Sequence, residues 1–400
     1  MTLNPEICCK SATHVLRGII LAAAAALVGC MENPNPVGSG LLPDSDFLQV
    51  DSTALSASAN FAAHSIPLSL SSGRIFIGRS GDTESWGLVA FPALSDTLKS
   101  VRVQEAFLIL RAAYHLGDSS GALSFLIHRA NYSWLGDSVT IDTVRSPGFS
   151  SPTLSPPAFF YSVADTPTII AGLDTALVGR WFRNIGESDS TNYGIVLEPT
   201  NANVIKGFSS FNEFETTYRP QLMVVYLRDG SAVVDTAIIT TGFGRYVGYA
   251  VPGSWQTDPT RMDIRNGVSY RGILEFAAGA LPDKAAIHKA VLEVSLNAGE
   301  SRLNAYSRDT LRISYVMDDG LPFDLILEFS DPPVEIGGKK VYRFPVGEFV
   351  QRWVRGSAYR RFAISGLSES TTFDTFVLYG PGAADPADRP RLTVLYSHTH

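Results

Sequence analysis

Val103-Gln-Glu-Ala-Phe-Leu-Ile-Leu110 and His288-Lys-Ala-Val-Leu-Glu-Val-Ser-Leu296 are the stretches on which the reading of this chain turns. Each is a short run dense in aliphatic and aromatic side chains, without a helical period and bounded by turn formers, which predicts a β-strand. A second apolar run precedes each: Trp86-Gly-Leu-Val-Ala-Phe91 before the first, Tyr270-Arg-Gly-Ile-Leu-Glu-Phe276 before the second. Further on, Ala176-Leu-Val-Gly-Arg-Trp-Phe-Arg183 answers Phe349-Val-Gln-Arg-Trp-Val-Arg355. Tyr218-Arg-Pro-Gln-Leu-Met-Val-Val-Tyr226 then answers Asp388-Arg-Pro-Arg-Leu-Thr-Val-Leu-Tyr396. Trp181 precedes Pro220 by 39 residues, and Trp353 precedes Pro390 by 37. Four features in one order at matched spacing make an internal repeat.

Between these landmarks the chain keeps the same character. Apolar runs such as Leu123–His128 and Tyr193–Leu197 are broken about every ten residues by Gly, Pro, Asp, Asn or Ser. This predicts an all-β sandwich or barrel. The Trp-containing segments are expected to form a short amphipathic turn of helix, with Leu177, Val178 and Trp181 on one face. Each last strand follows Arg-Pro, and proline is tolerated at a strand start. The repeat divides the body into a first domain, 44–227, a linker, 228–232, and a second domain, 233–397.

The residues of the repeat resemble the bacterial DNRLRE domain, a group that includes the family 96 carbohydrate-binding modules. The second repeat carries the resemblance in Gly272-Ile-Leu-Glu-Phe276, Leu281-Pro282, Ile287, Ala290, Leu292, Trp353, Gly356 and Arg389-Pro390. The first departs from it with Phe91-Pro92-Ala-Leu94 in place of Leu-Pro, and with Asn184 where the second has Gly356. The resemblance covers most of residues 70–397. It implies two tandem jelly-roll-type β-sandwich domains, secretion, and a polysaccharide or cell-envelope role. Val37–Phe47 also resembles the start of a family of uncharacterised Bacteroidota lipoproteins, DUF4270.

The N-terminus reads as an address. Lys10 and Arg17 precede an apolar run, Gly18–Val28, too short to span a bilayer. The run ends in Leu27-Val28-Gly29-Cys30, which resembles a bacterial lipobox. A lipoprotein signal peptide over 1–29, lipidation of Cys30 and a flexible Pro/Gly-rich tether over 30–43 are therefore expected, with the outer membrane as location. Cys8 and Cys9 would leave with the signal, so the mature chain has no thiol to pair.

Composition excludes several functions. Hydrophobic residues make up 45% and charged residues 18% of 400, enough for a real core. The formal charge of −7 argues against nucleic acid as a partner. The mature histidines (His64, His115, His128, His288, His398, His400) stand in no hydrolase context, and G-x-S-x-G is absent. There is no H-E-x-x-H and no cysteine ligand set. Asp318-Asp319-Gly320 is read as a solvated turn, with a structural calcium left open. Gly242-Phe-Gly244 lacks the context of a phosphate loop. Glycoside hydrolysis needs two acids across a cleft, and nothing singles out a pair among 39 acidic residues. No enzyme and no cofactor are expected.

The charge distribution points to the candidate site. Residues 30–227 hold 11 basic and 18 acidic residues, whereas 228–400 hold 19 and 20. Arg343, Arg352, Arg355, Arg360 and Arg361 fall close together in sequence, with Trp353 and Tyr359 among them. Guanidinium forks bind carboxylates, and aromatic rings stack on sugars. An acidic polysaccharide is the expected ligand. The alternative keeps Trp353 in the core and makes the arginines a solvated face paired with nearby acids. The expected function is a lipid-anchored, non-catalytic binding module. The alternatives are a structural or protein-interaction subunit of an outer-membrane assembly and, behind both, a glycan-degrading enzyme.

Overall fold

The computed structural model describes residues 49–398, apart from 65–73, 118–120, 135–138, 151–167, 188–191, 201–202, 212–215, 241–242, 251–257, 269, 278, 280, 305–307, 317–326, 330–331 and 357–359. The expected signal peptide, the tether, Cys30, Tyr359 and the Asp318–Gly320 turn lie outside the described residues.

In chain order the first strands are β1 (Gln49–His64), β2 (Arg74–Ser80), β3 (Thr83–Ala90), β4 (Val101–Gly117), β5 (Phe125–Arg129), β6 (Thr168–Gly172), β7 (Ile195–Pro199), β8 (Val204–Ser209), β9 (Gln221–Arg228), β10 (Val234–Thr240) and β11 (Phe243–Ala250). There follow β12 (Arg261–Arg265), β13 (Tyr270–Phe276), β14 (Ala286–Ser295), β15 (Leu311–Val316), β16 (Leu327–Phe329), β17 (Val334–Ile336), β18 (Lys339–Pro345), β19 (Arg361–Gly366), β20 (Thr375–Tyr379) and β21 (Arg391–His398). The helices are short: α1 (Ile141–Arg145), α2 (Thr175–Arg183) and α3 (Gly347–Val354). The fold is all-β and sandwich-like, as the alternation of the sequence requires.

Two antiparallel sheets result. The first runs β10-β9-β4-β8-β2-β3-β7-β5, with β11 on β3 and β6 on β4. The second runs β16-β15-β19-β13-β1-β21-β14-β18-β17, with β12 joining β13 to β20. Long strands curl each sheet over its own core. β4 pairs with β9 over Val101–Ile109 and with β8 over Ala112–Gly117, with register breaks at Val103/Glu105 and Ala112/Tyr114. Such bulges bend a strand and raise its twist. Ala106, Leu108 and Leu110 alternate inward from β4 onto Leu222, Val224 and the helix residues Leu177, Val178 and Trp181. The second core repeats this with Ala290, Leu292 and Val294 of β14, Leu392 and Val394 of β21, and Phe349, Val350 and Trp353 of α3.

The repeated motifs fall on matching elements: β3 with β13, β4 with β14, α2 with α3, and β9 with β21. The match extends to ring contacts. Trp181 lies 6.5 Å from Phe91 between centroids, and Trp353 lies 6.2 Å from Phe276, the equivalent pair. Both tryptophans are buried, and a shared core accounts for both.

The sheets exchange strands across residues 228–232. β1, at the start of the chain's described part, lies beside β21 and pairs with β13 from Ala57↔Phe276 to His64↔Tyr270. β10 and β11 follow those residues yet belong to the first sheet, β10 on β9 and β11 on β3. Residues 228–231 are the hairpin turn between β9 and β10: Ser231 N–H donates to Arg228 O at 3.0 Å, and Gly230 takes the left-handed φ of +76° that the turn needs. Alternation fixes which face of a strand is buried but not which neighbour it pairs with. Asp51–Tyr396 consequently forms one compact unit containing both cores.

Candidate functional site

The fold separates Arg343 from the other arginines singled out from the sequence. Arg343 stands exposed on β18 with Nε 3.0 Å from Glu293, and Arg391 of β21 donates to the same carboxylate at 2.8 Å. Arg361 opens β19 and pairs with Glu275 of β13 at 2.9 Å. Four strands separate β18 from β19 in the sheet. Arg352 lies exposed in the last turn of α3, where a cation complements the helix dipole, and Arg355 follows it. Arg360 is half-buried, and its carbonyl accepts the Phe276 N–H at 3.0 Å. Trp353 is in the core against Phe276 and Phe362.

A different set of cations meets where the two sheets adjoin. A cleft of about 610 Å³ is lined by Asp82 on the β2–β3 turn, by Arg261 and Arg265 of β12, and by Glu300, Arg302 and Thr375. Arg265 Nη1 donates to both oxygens of Asp82, at 2.9 and 2.8 Å, across 183 residues of sequence. Arg261 donates to Asp263 at 2.9 and 2.8 Å and to Glu300. Arg302 is held by its backbone, which exchanges hydrogen bonds with Thr375 at 2.8 and 2.9 Å. Its side chain is exposed and has no ion-pair or hydrogen-bond partner among the described residues. The cleft therefore presents one guanidinium uncommitted beside two that are braced by acids.

Below the cleft the sheets are welded by an aromatic joint. Phe373, which also lines the cleft, packs edge-on to Phe76 at 4.9 Å between centroids. Phe76 meets Tyr114 at 5.2 Å and Tyr246 at 4.8 Å in the same manner. Polar contacts cross the joint: Phe373 N–H donates to Tyr114 Oη at 3.0 Å, Tyr246 Oη donates to Ser370 O at 3.1 Å, and Arg74 donates to Thr371 O at 2.7 Å. Burial pushes the phenol pKa of Tyr114 and Tyr246 well up, and the nearby Glu369 carboxylate adds to the effect at Tyr246. Both phenols are held neutral. Glycine makes the close approach possible: a Cβ on Gly248 of β11 would lie 1.9 Å from Gly267 O.

This arrangement offers recognition chemistry. Among the described residues the cleft is lined by no histidine or cysteine, and the carboxylates of Asp82 and Glu300 are engaged by arginines. Among the described residues no group of three or more His, Cys, Asp or Glu could hold a metal ion. No helix among them is long and apolar enough to cross a membrane. Sequence reasoning passed over Arg261, Arg265 and Arg302. The alternation Arg261-Met-Asp-Ile-Arg265 does place Arg261, Asp263 and Arg265 on one strand face, but nothing local reveals Asp82 opposite.

No family model matches the chain, and no curated protein matches it. Among solved structures it is similar to a structure of infectious bursal disease virus Gt strain, at 11% identity over 90% of this chain and 79% of that one, with a TM-score of 0.13. A Macrobrachium rosenbergii nodavirus structure gives 10% identity, 89% and 91% coverage, and a TM-score of 0.13. Likeness of that degree bears on neither fold nor function.

Proposed function

We propose that this chain is a non-catalytic binding protein of the cell envelope, lipid-anchored through Cys30, that takes an acidic polysaccharide in the cleft between its two sheets. The observation that carries the reading is Arg302: an exposed arginine whose side chain has no partner among the described residues, fixed by its backbone on the wall of a polar cleft. A free guanidinium beside two braced ones suits the repeated carboxylates of a uronic-acid polymer, because bidentate charge-assisted hydrogen bonds fix orientation as well as adding affinity. The resemblance to DNRLRE domains supports a glycan as the ligand, and the lipobox supports display from the outer membrane. The second reading, a subunit of an envelope assembly, draws on the exposed apolar side chains Ile170, Val234 and Ile238 of the first sheet.

The test is a binding titration of the full chain in detergent with polygalacturonate and, separately, a neutral glucan. Salt-sensitive binding to polygalacturonate alone is expected. Arg302→Ala should weaken it about tenfold or more, the equivalent of about 1.4 kcal/mol, whereas a triple Arg352→Ala, Arg355→Ala, Arg360→Ala variant should bind as the parent does. Equal affinity of parent and Arg302→Ala would remove the cleft from consideration.

A further inference from the structure

The three arginines of the cleft are not held alike. β12 lies against β20 with Arg265 opposite Thr375, Asp263 opposite Val377 and Arg261 opposite Tyr379. Arg302 bridges Thr375 from the other side. Directly opposed residues of antiparallel strands share a face. Arg265, Thr375 and Arg302 therefore form one row across the cleft, and Arg261 joins that face four residues away along β12. All three arginines line one space, and they differ in the carboxylate that meets them.

Arg265 meets Asp82 across the joint, and Thr83 Oγ1 donates to the same carboxylate at 3.1 Å. Arg261 meets two acids with separate tasks. Asp263, on the same strand, accepts from its Nε at 2.9 Å and its Nη2 at 2.8 Å, both at one oxygen, which fixes the plane of the guanidinium. Glu300 takes Nη1 instead. The Asp263 side chain is 15% exposed and that of Glu300 is 50% exposed. Burial works against the charge on Arg261, yet Asp263, with the charges of Glu300 and Asp258, holds its pKa above the ordinary value. Glu300 sits on a tight turn: its N–H and that of Ser301 donate to Asn297 O at 3.3 and 3.0 Å, and Asn297 Nδ2 donates to Glu300 Oε1 at 3.1 Å. Without the Glu300 carboxylate, Arg261 would stay oriented by Asp263 and Nη1 would face the cleft. The strand-borne acid orients the arginine. The turn-borne acid covers it.

We propose that Glu300 is a built-in competitor for the ligand: its carboxylate occupies Arg261 Nη1 until a ligand carboxylate displaces it. This rests on the reading of the cleft as a site for an acidic polymer and adds the regulation of that site. The exchange is close to balanced. A half-exposed ion pair is worth little, because water competes for both partners. The incoming carboxylate replaces one charge-assisted hydrogen bond with another of the same kind. Selectivity for repeated carboxylates follows. A ligand with a single carboxylate is met by Arg302 and leaves Glu300 in place. A polymer held at Arg302 presents its further carboxylates to Arg261 at high local concentration, and that is what tips the exchange.

Titration of the full chain in detergent with polygalacturonate tests this, with three variants beside Arg302→Ala. Glu300→Gln removes the charge at nearly constant shape and should bind about fivefold tighter, the scale of a partly exposed ion pair. Glu300→Asp keeps the charge but withdraws the carboxylate from Nη1 by one methylene, and it should also bind tighter than the parent. Asp258→Asn removes a charge that acts on Arg261 from a carboxylate engaged elsewhere, accepting from Thr260 N–H at 2.8 Å and Oγ1 at 2.6 Å. It should bind as the parent does. Circular dichroism should be unchanged in all three. Glu300→Gln binding no tighter than the parent overturns the proposal and makes Glu300 a second brace. So does a gain that Asp258→Asn matches or that Glu300→Asp lacks, since the general field of the cleft then accounts for it. A parent that does not bind, or binds equally well as Arg302→Ala, removes the acidic-ligand reading and the competitor with it. A parent that needs Arg302 but gains nothing at Glu300 loses the competitor alone.

Discussion

Tyr246 shows what a single side chain contributes to this molecule. Its ring is one wall of the joint, and its hydroxyl satisfies the Ser370 carbonyl in a region with little water to replace it. Tyr246→Phe keeps the ring and strands that acceptor, which should cost about 1–3 kcal/mol by urea unfolding at pH 7. Phe76→Ala removes the ring that touches Tyr114, Tyr246 and Phe373 together and should cost about 3–5 kcal/mol. The same phenols set an alkaline limit. Burial raises the folded-state pKa of Tyr114 and Tyr246, so the folded chain keeps protons that the unfolded chain loses above its ordinary value of about 10. Their contribution is complete below that pH and declines above it, by roughly 1.4 kcal/mol per tyrosine per pH unit. The urea midpoint should therefore fall between pH 9 and 11, and the fall should be shallower in Tyr246→Phe. Parallel slopes in parent and variant would exclude Tyr246 as a source of the pH dependence.

At the scale of elements, α2 and α3 occupy matching places but are held differently. α2 is capped by Asp174, whose carboxylate accepts the Ala176 and Leu177 N–H groups at 2.7 and 3.4 Å. α3 begins at Val346 without a side-chain cap and is tied instead by Gln351, which accepts from Ile287 N–H at 2.9 Å and donates to Ala285 O at 3.1 Å. Asp174→Ala should cost about 1 kcal/mol, measured as a shift of the urea midpoint at constant slope. Gln351→Ala should cost a similar amount, by freeing β14 rather than the helix. Both helices, and most strands, were legible in the sequence because they rest on local periods: Leu177, Val178 and Trp181 share a helix face, and Ala106, Leu108 and Leu110 alternate on a strand. Pairing was not legible, since Phe243–Ala250 reads as a strand whether it lies on β3 or on a neighbour in its own repeat. The cleft was hidden for the same reason. Arg265 and Asp82 become partners only after β12 and the β2–β3 turn have been brought together by the joint. The arginines that did cluster in sequence, Arg343 to Arg361, lie on β18, α3 and β19, and the described fold separates β18 from β19.

For the whole molecule, the exchange of strands decides how it comes apart. A pair of domains joined only at residues 228–232 would separate once that turn was cut. Here β1 stays with the second sheet through seven residue pairs from Ala57 to His64, and β11 stays with the first through eight from Phe243 to Ala250. The Arg265–Asp82 ion pair and the rings around Phe76 bind the same two pieces again. A protease site inserted between Asp229 and Gly230, in the exposed turn, should therefore be cleaved without release. The fragments 1–229 and 230–400 should co-elute from a sizing column as one particle, and should part only in the urea transition that unfolds both cores. Each fragment expressed alone lacks a strand that the other supplies and should fail to give the sharp thermal transition of the intact chain. The intact chain itself should melt in one step, because neither sheet can open without losing a strand to the other. Fragments that separate after cleavage in plain buffer would show that the exchanged ladders contribute little. The joint would then be a contact between two independently stable halves.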